Sequence, residues 1–206
     1  MVNYAAATLG KATAARRDRQ REILDAATKV IAANGFGGLR VEQVAAEAGV
    51  SIPLLYYHFQ SRLGLLRAAL SYAHARAPST GRLAVLPAGT PAFEVLREAL
   101  LAELDETPAV RDFSIVWGEA SANAVFQADL REEVDRVARS WTGDVAATIR
   151  AGIDDGSIAG SVDADTAADV LTVLTDGLCA RWLAGVMELD EARRVLDAAI
   201  VRILQP

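Results

Sequence analysis

Four side chains that can bind phosphate lie close together in the sequence: Tyr56, Tyr57, His58 and Arg62. A tyrosine hydroxyl or a histidine ring N–H can donate to a phosphate oxygen while the ring packs on the sugar. A cation beside a helix N-terminus can hold a second phosphate. These residue types therefore indicate contact with a nucleic-acid backbone. The alternative is an ordinary surface corner between two helices, with Tyr56 partly in the core.

The distribution of charge limits which part of the chain can meet a polyanion. The formal net charge is −6, which argues against a general nucleic-acid binder. Residues 1–74, however, carry nine Lys and Arg against five Asp and Glu, whereas the remaining chain carries twelve against twenty-two. A basic end on an acidic body predicts that only the first third faces nucleic acid.

Two short helices, 41–48 and 52–59, are predicted to position these side chains. A helix-turn-helix needs a small residue in its first helix, a glycine in the turn and apolar contacts beyond it. Ala45, Gly49 and Leu55 meet these needs, and Gly49 can adopt the positive φ that other residues resist. The spacing therefore predicts that residues 52–59 form the helix that is presented to a duplex.

Helical periodicity continues through the rest of the chain beyond a predicted loop or linker at 78–91. A long amphipathic helix is predicted over about 130–153, and no segment fits a strand better than a helix. The sequence thus predicts an all-α fold of about nine helices. The last two helices, at about 163–185 and 190–204, are apolar enough to form a homodimer seam. Alternatively, they only cover their own domain.

Residues 19–66, with the run GFGGLRVEQVAAEAGVSIPLLYYHFQSRLGLL, resemble the DNA-binding domain of TetR-family repressors. The resemblance implies a helix-turn-helix DNA-binding domain at 18–61 and a larger regulatory domain at 62–206, which binds a ligand and dimerises. Residues 1–17 are predicted to be a disordered basic tail.

The resemblance also implies roles for individual residues. Tyr56, Tyr57 and His58 would contact phosphates or bases, and Arg62 would take the place of a usual lysine on phosphate. The residues expected to enter the major groove are Ser51, Ile52, Pro53 and Leu54.

The sequence departs from the family pattern at several of these positions. Arg40 replaces the usual threonine or serine, so the second helix lacks a standard cap, although the arginine can still bind phosphate. Because Ile52 and Leu54 are apolar, they can meet thymine methyl groups but cannot hydrogen-bond to bases.

Large apolar side chains in the second half predict a ligand cavity, although each of them could equally belong to the plain core. The candidate lining residues are Phe113, Trp117, Asn123, Phe126, Trp141 and Trp182. Such a lining would suit a small, largely apolar effector.

Other classes of protein are poorly supported by the sequence. Two histidines, one cysteine and no glycine-rich phosphate loop supply little for catalysis, and no metal or cofactor is expected. No apolar run reaches the ~20 residues that span a bilayer, so no membrane partner is expected. The single Cys179 fits the reducing cytoplasm and is assigned to packing.

The sequence thus predicts a cytoplasmic repressor that binds a palindromic double-stranded DNA operator as a homodimer and is released by a small molecule. The alternatives are a helical interaction module and a small enzyme without DNA binding.

Overall fold

The computed structural model describes residues 2–77, 79, 83 and 89–205, with backbone alone for residues 2–15. Within these residues nine helices can be bounded and no strand is present, which confirms the predicted all-α class. The helices are α1 (Val2–Gly38), α2 (Val41–Glu47), α3 (Ile52–Phe59), α4 (Arg62–Arg76), α5 (Ala92–Leu101), α6 (Pro108–Ala124), α7 (Ala128–Asp155), α8 (Ala164–Leu183) and α9 (Leu189–Leu204). The predicted linker at 78–91 lies mostly outside the described residues.

The first helix begins earlier than the sequence predicted. Helix α1 begins at Val2, within the segment 1–17 for which a disordered tail is predicted, and its helical path breaks at Gly35. The segment is rich in alanine, the residue with the highest helix propensity, and it continues a helix that is anchored further along the chain.

The helices α1 to α4 pack around an N-terminal core. Its fully buried side chains include Ile23, Val44, Leu55 and Leu66. Helix α4 contributes to this core, and Val116 of α6 joins it, so residues beyond the predicted domain boundary at 61 also pack against α1 to α3.

A C-terminal core lies between α5, the second half of α7, α8 and α9. It is built from residues such as Leu96, Ile149, Leu171 and Leu196, all without exposed surface. The helix α7 is 28 residues long, which corresponds to about 42 Å, and contributes to both cores. Helix α7 therefore connects the two cores. No described helix is long and apolar enough to cross a membrane.

Candidate DNA interface and internal cavity

The helix α3, called the reading helix below, is amphipathic, as expected of a helix that is presented to a duplex: one face is buried and the other is exposed. Leu55 and Phe59 are buried in the N-terminal core, whereas Tyr56 is 43% and Tyr57 65% exposed. The N–H of Leu54 donates to the hydroxyl of Ser51 at 3.4 Å, so Ser51 caps the helix. One face of the reading helix is thus fixed by packing and the other is open.

The turn before the reading helix has the conformation that the sequence predicted. Gly49 has φ 62°, in the left-handed region, and the N–H of Val50 donates to the carbonyl of Ala45 at 2.9 Å. Ala45 is buried between the helices. The turn therefore sets the angle at which the reading helix leaves α2.

The outer face of the reading helix carries an aromatic cluster beside a cation. The guanidinium of Arg16 lies 5.4 Å from the centre of the Tyr57 ring, and the Tyr57 and His58 ring centres are also 5.4 Å apart. Burial and, second, the charge of Arg16 lower the pKa of His58. His58 is therefore neutral at physiological pH, and its ring N–H is a hydrogen-bond donor without charge.

The remaining predicted DNA contacts fall into two groups. Ile52 and Pro53 are exposed and Leu54 is half-buried in the first turn of the reading helix. Arg40 is exposed at the start of α2, where it makes no side-chain cap.

Arg62, in contrast, is held against the end of α1. It donates to the carbonyls of Phe36 and Gly37, the latter at 3.0 Å, and its guanidinium lies 4.6 Å from the centre of the Phe36 ring. Its Nε is buried and has no hydrogen-bond partner. The structure thus ties Arg62 to the end of α1, which differs from the predicted phosphate contact.

An internal cavity of about 140 Å³ lies between α4, α6, α7 and α8. Three of the predicted lining residues, Phe113, Trp117 and Trp141, form its aromatic wall. Val137, Ala138 and Val173 add aliphatic surface, and the polar lining residues are His74, Ser79, Glu103, Thr142, Asp169, Thr172, Thr175 and Asp176.

The other three predicted lining residues lie elsewhere. Phe126 is 87% exposed because α6 ends at Ala124 and the following turn points away from the cavity. Trp182 is buried in the C-terminal core, and Asn123 donates to the backbone carbonyl of Glu119 at 2.8 Å.

The carboxylates of the cavity were missed by the sequence reasoning. Asp169, Thr172 and Asp176 follow one another at intervals of three and four along α8, so they share a helix face that interrupts the apolar pattern. That interruption was a usable signal. No comparable signal marks Glu103, which lies just after the end of α5 and reaches the cavity through tertiary folding.

The cavity strongly disfavours unpaired negative charge. Glu103 is 9% exposed and accepts a hydrogen bond from the Ser79 hydroxyl, and burial raises its pKa to about 7. Asp176 lies at the cavity edge, with much of the residue exposed. Even so, burial of its carboxylate raises its pKa to about 6, against the hydrogen bond from Trp117. Burial and these two acids raise the pKa of the Cys179 thiol to about 12.

No lysine or arginine is found among the described residues that line the cavity. His74 is the one basic side chain among the described lining residues, and burial lowers its pKa. A carboxylate removed from water without a cationic partner is costly. The described residues contain no group of three potential metal ligands.

Comparison with known proteins decides the family. Residues 23–69 match the tetR family of bacterial regulatory proteins, and residues 92–205 match the C-terminal domain of BetI-type transcriptional repressors. The second match alone spans more than half of the chain. The chain belongs to the TetR family of transcriptional regulators. Family membership makes it a DNA-binding regulator and not an enzyme.

Three relatives illustrate the extent of the similarity. A TetR-family regulator from Rhodococcus sp. is 38% identical, with TM-score 0.83 over 92% of this chain and 100% of its own. A transcriptional regulator from Saccharomonospora viridis, crystallised with choline, is 28% identical, with TM-score 0.79 over 93% and 98%. The repressor KstR of Mycolicibacterium smegmatis is 34% identical over 77 residues, which span 37% of this chain and 38% of KstR.

Proposed function

We propose that this TetR-family regulator is a cytoplasmic repressor that binds a palindromic operator as a homodimer and is released when an organic cation enters its cavity. The observation that carries the DNA-binding part is the division of the reading helix, with Leu55 and Phe59 buried while Tyr56 and Tyr57 face outward. A helix that only packed within its own chain would not leave two adjacent tyrosines in solvent.

The reading surface supports mostly backbone contacts with modest base readout. The hydroxyls of Tyr56 and Tyr57 and the guanidiniums of Arg16 and Arg40 can donate to phosphates. Ile52, exposed in the first turn, can meet a thymine methyl group. We therefore expect strong salt dependence, and specificity that comes partly from the shape of the duplex.

Dimerisation through α8 and α9 is supported by exposed valines on their outer faces. Val170 on α8, and Val195 and Val201 on α9, are exposed in the single chain, with Val170 at 48%. Pairing these faces with a second copy would remove apolar surface from water. It would also give two reading helices, which must lie ~34–36 Å apart to enter successive major grooves.

The chemistry of the cavity points to a cationic effector. Buried Glu103 needs a positive partner, and Asp169 and Asp176 add negative charge at the same cavity. Trp117 and Trp141 supply aromatic faces, which bind quaternary ammonium groups in preference to neutral ones. The proposed effector is still largely apolar, as the sequence predicts, but it also carries a positive charge that the sequence did not predict.

The Saccharomonospora relative supports the same class of effector, because its structure contains choline and it aligns with this chain over nearly its whole length. We therefore propose a small amine or quaternary ammonium compound. Such a ligand would favour the conformation in which the reading helices no longer match the operator, with a coupling of typically ~1–3 kcal/mol.

A DNA titration tests the interface. We expect a labelled duplex from the protein's own upstream region to bind with an affinity that falls steeply as salt rises. Tyr57→Ala should weaken binding about tenfold, the loss of one or two backbone contacts, without lowering the melting temperature. Phe126→Ala is the matched control, since that aromatic is more exposed and lies far along the chain. Equal binding by Tyr57→Ala and Phe126→Ala would contradict the interface.

A ligand titration tests the cavity. Choline should quench tryptophan fluorescence and release the bound duplex, whereas its neutral carbon isostere should do neither, because only the cation compensates Glu103. If the neutral isostere acts as well as choline, or if no alkylammonium compound acts, the proposed effector class is wrong.

A further inference from the structure

A carboxylate on α6 is bonded to the backbone at the end of α1. The N–H of Phe36 donates to Oε2 of Glu119 at 2.6 Å, across 83 positions of sequence. The same carboxylate covers Gly35, where a methyl group added to the backbone would lie 3.2 Å from Oε1. Gly35 has φ 67° and ψ 168°, so the helical path is broken at this residue. The bond therefore holds the chain where it leaves the main body of α1.

The other side of Phe36 is held by Arg62. The Phe36 carbonyl accepts from the Arg62 guanidinium, which also covers the Phe36 ring. Arg62 is the first residue of α4 and stands three positions after the reading helix ends at Phe59. One residue, Phe36, thus joins an anion on α6 to a cation beside the reading helix.

The helix that carries Glu119 also lines the cavity. Phe113 and Trp117, on α6, are part of the cavity wall. Glu119 lines an adjoining cleft of about 600 Å³ that shares Glu103, Trp117 and Asp176 with the cavity. Because the helix moves as a unit, a ligand that displaces Trp117 also displaces the carboxylate two positions further along.

We propose that Glu119 is a positioning residue: its bond to Phe36 sets the orientation of the reading helix relative to the cavity-bearing helices. The proposal rests on the proposed function, since orientation matters only if two reading helices must match one duplex. Helix α4 also borders the cavity, through His74, but it is built into the N-terminal core. Helix α6 also packs into that core through Val116, Ala120 and Ala124, so the Glu119 bond is an added polar link at the end of α1 and can break while the apolar contacts remain.

The test compares Glu119→Ala, Glu119→Gln and the control Glu132→Ala, which removes an exposed carboxylate from α7. The duplex is the one that the wild-type protein selects from a random pool, together with versions in which one or two base pairs are inserted between the half-sites. The wild-type protein should lose at least about tenfold in affinity when base pairs are inserted, because two rigidly held reading helices fit only one spacing of the half-sites. In Glu119→Ala this penalty should shrink to about twofold.

Amide hydrogen exchange of the free protein gives a second readout. In Glu119→Ala, exchange should become about tenfold faster both at 34–40 and in the reading helix, because the Phe36 donor has lost its acceptor. Glu119→Gln keeps an acceptor oxygen and should stay near wild type on both measures. If the alanine variant folds poorly, Glu119→Met takes its place, because it removes the acceptor oxygens and keeps a side chain of similar length, and the same changes are expected.

Two outcomes would overturn the proposal: unchanged exchange in Glu119→Ala, or faster exchange with the spacing penalty retained. Faster exchange with an unchanged spacing penalty would show that the Glu119 bond stabilises the end of α1 but does not orient the reading helix. A wild-type protein that selects no duplex at all would instead refute the proposed function, while the exchange measurement would still decide whether Glu119 holds the end of α1.

Discussion

At the scale of single residues, Glu103 is the side chain whose environment is least compatible with its charge. The folded structure raises its pKa from 4.5 to about 7 by burial, and it has no cationic partner among the described lining residues. Between these two values the folded state binds more protons than the unfolded state. The contribution of Glu103 to the free energy of unfolding is therefore fully present below pH 4.5. It declines as pH rises from 4.5 and is lost above about 7.

Replacing Glu103 by Gln should remove this pH dependence. At about pH 8 we expect the free energy of unfolding to rise by roughly 2–3 kcal/mol over wild type, and at about pH 5 to change little. Chemical denaturation at both values measures the difference. The control is Glu106→Gln, an exposed glutamate nearby in sequence that should change neither value. A stabilisation equal at both pH values would show that ionisation is not the cause.

The same acid predicts how the affinity for choline varies with pH. The bound cation needs ionised carboxylates, so the affinity should rise as pH passes through about 6 and about 7, the pKa values of Asp176 and Glu103, and then level off. The rise should be about tenfold per pH unit at its steepest if one proton is released. Calorimetry in buffers of different ionisation heat counts that proton, and binding that is flat over this range would contradict the role of Glu103.

Substitution of Arg62 tests whether its side chain stabilises the fold or contacts a DNA phosphate. Arg62→Ala leaves two backbone carbonyls without their charged donor, so we expect a loss of ~1–3 kcal/mol in stability. The slope of log affinity against log salt should stay unchanged, whereas loss of a phosphate contact would lower it by about one. Arg40→Ala is the comparison, with the reverse pattern expected: unchanged stability and a shallower slope.

At the scale of elements, the sequence pattern predicts those features that depend on neighbouring residues, such as where a helix begins and ends. The bounds of the reading helix and of α4 follow from Ser51, Ser61 and Gly49, whose effects act within a few residues. Glu103 was missed because it reaches the cavity only through packing, whereas Asp176 lies on a polar face of α8 that the sequence pattern does show. The prediction that Phe126 lines the cavity was wrong because an apolar side chain does not determine the direction of the turn that carries it.

The turn before the reading helix provides a test at this scale. Gly49→Val forces a β-branched residue to φ near 62°, which should cost about 1–3 kcal/mol of stability. An added Cβ meets no neighbour there, so the cost is backbone strain and not a clash. Gly37→Val is the control, because that site is equally open and its φ is not positive. Equal melting temperatures for the two variants would show that the turn tolerates other geometries.

At the scale of the whole molecule, the two cores share α7, and α6 packs into the N-terminal core while it also lines the cavity, so the cavity and the reading helix belong to one mechanical unit. Helix α7 contributes Leu130 to the N-terminal core and Ile149 to the C-terminal core. Packed interiors transmit strain because they contain few voids. A change at the cavity can thus reach the DNA-binding end without any hinge between separate domains.

Assembly is the last requirement, since one protomer has only one reading helix. We expect Val170→Glu combined with Val201→Glu to convert the dimer to monomer in light scattering, because charged residues would have to be buried in the seam. Affinity for a full palindromic duplex should then fall by about a hundredfold or more, as the second head no longer binds intramolecularly, while binding to a half-site duplex is retained. Val125→Glu, at a more exposed valine on the turn between α6 and α7, should leave both properties intact. If the double variant remains dimeric, the seam lies on another face.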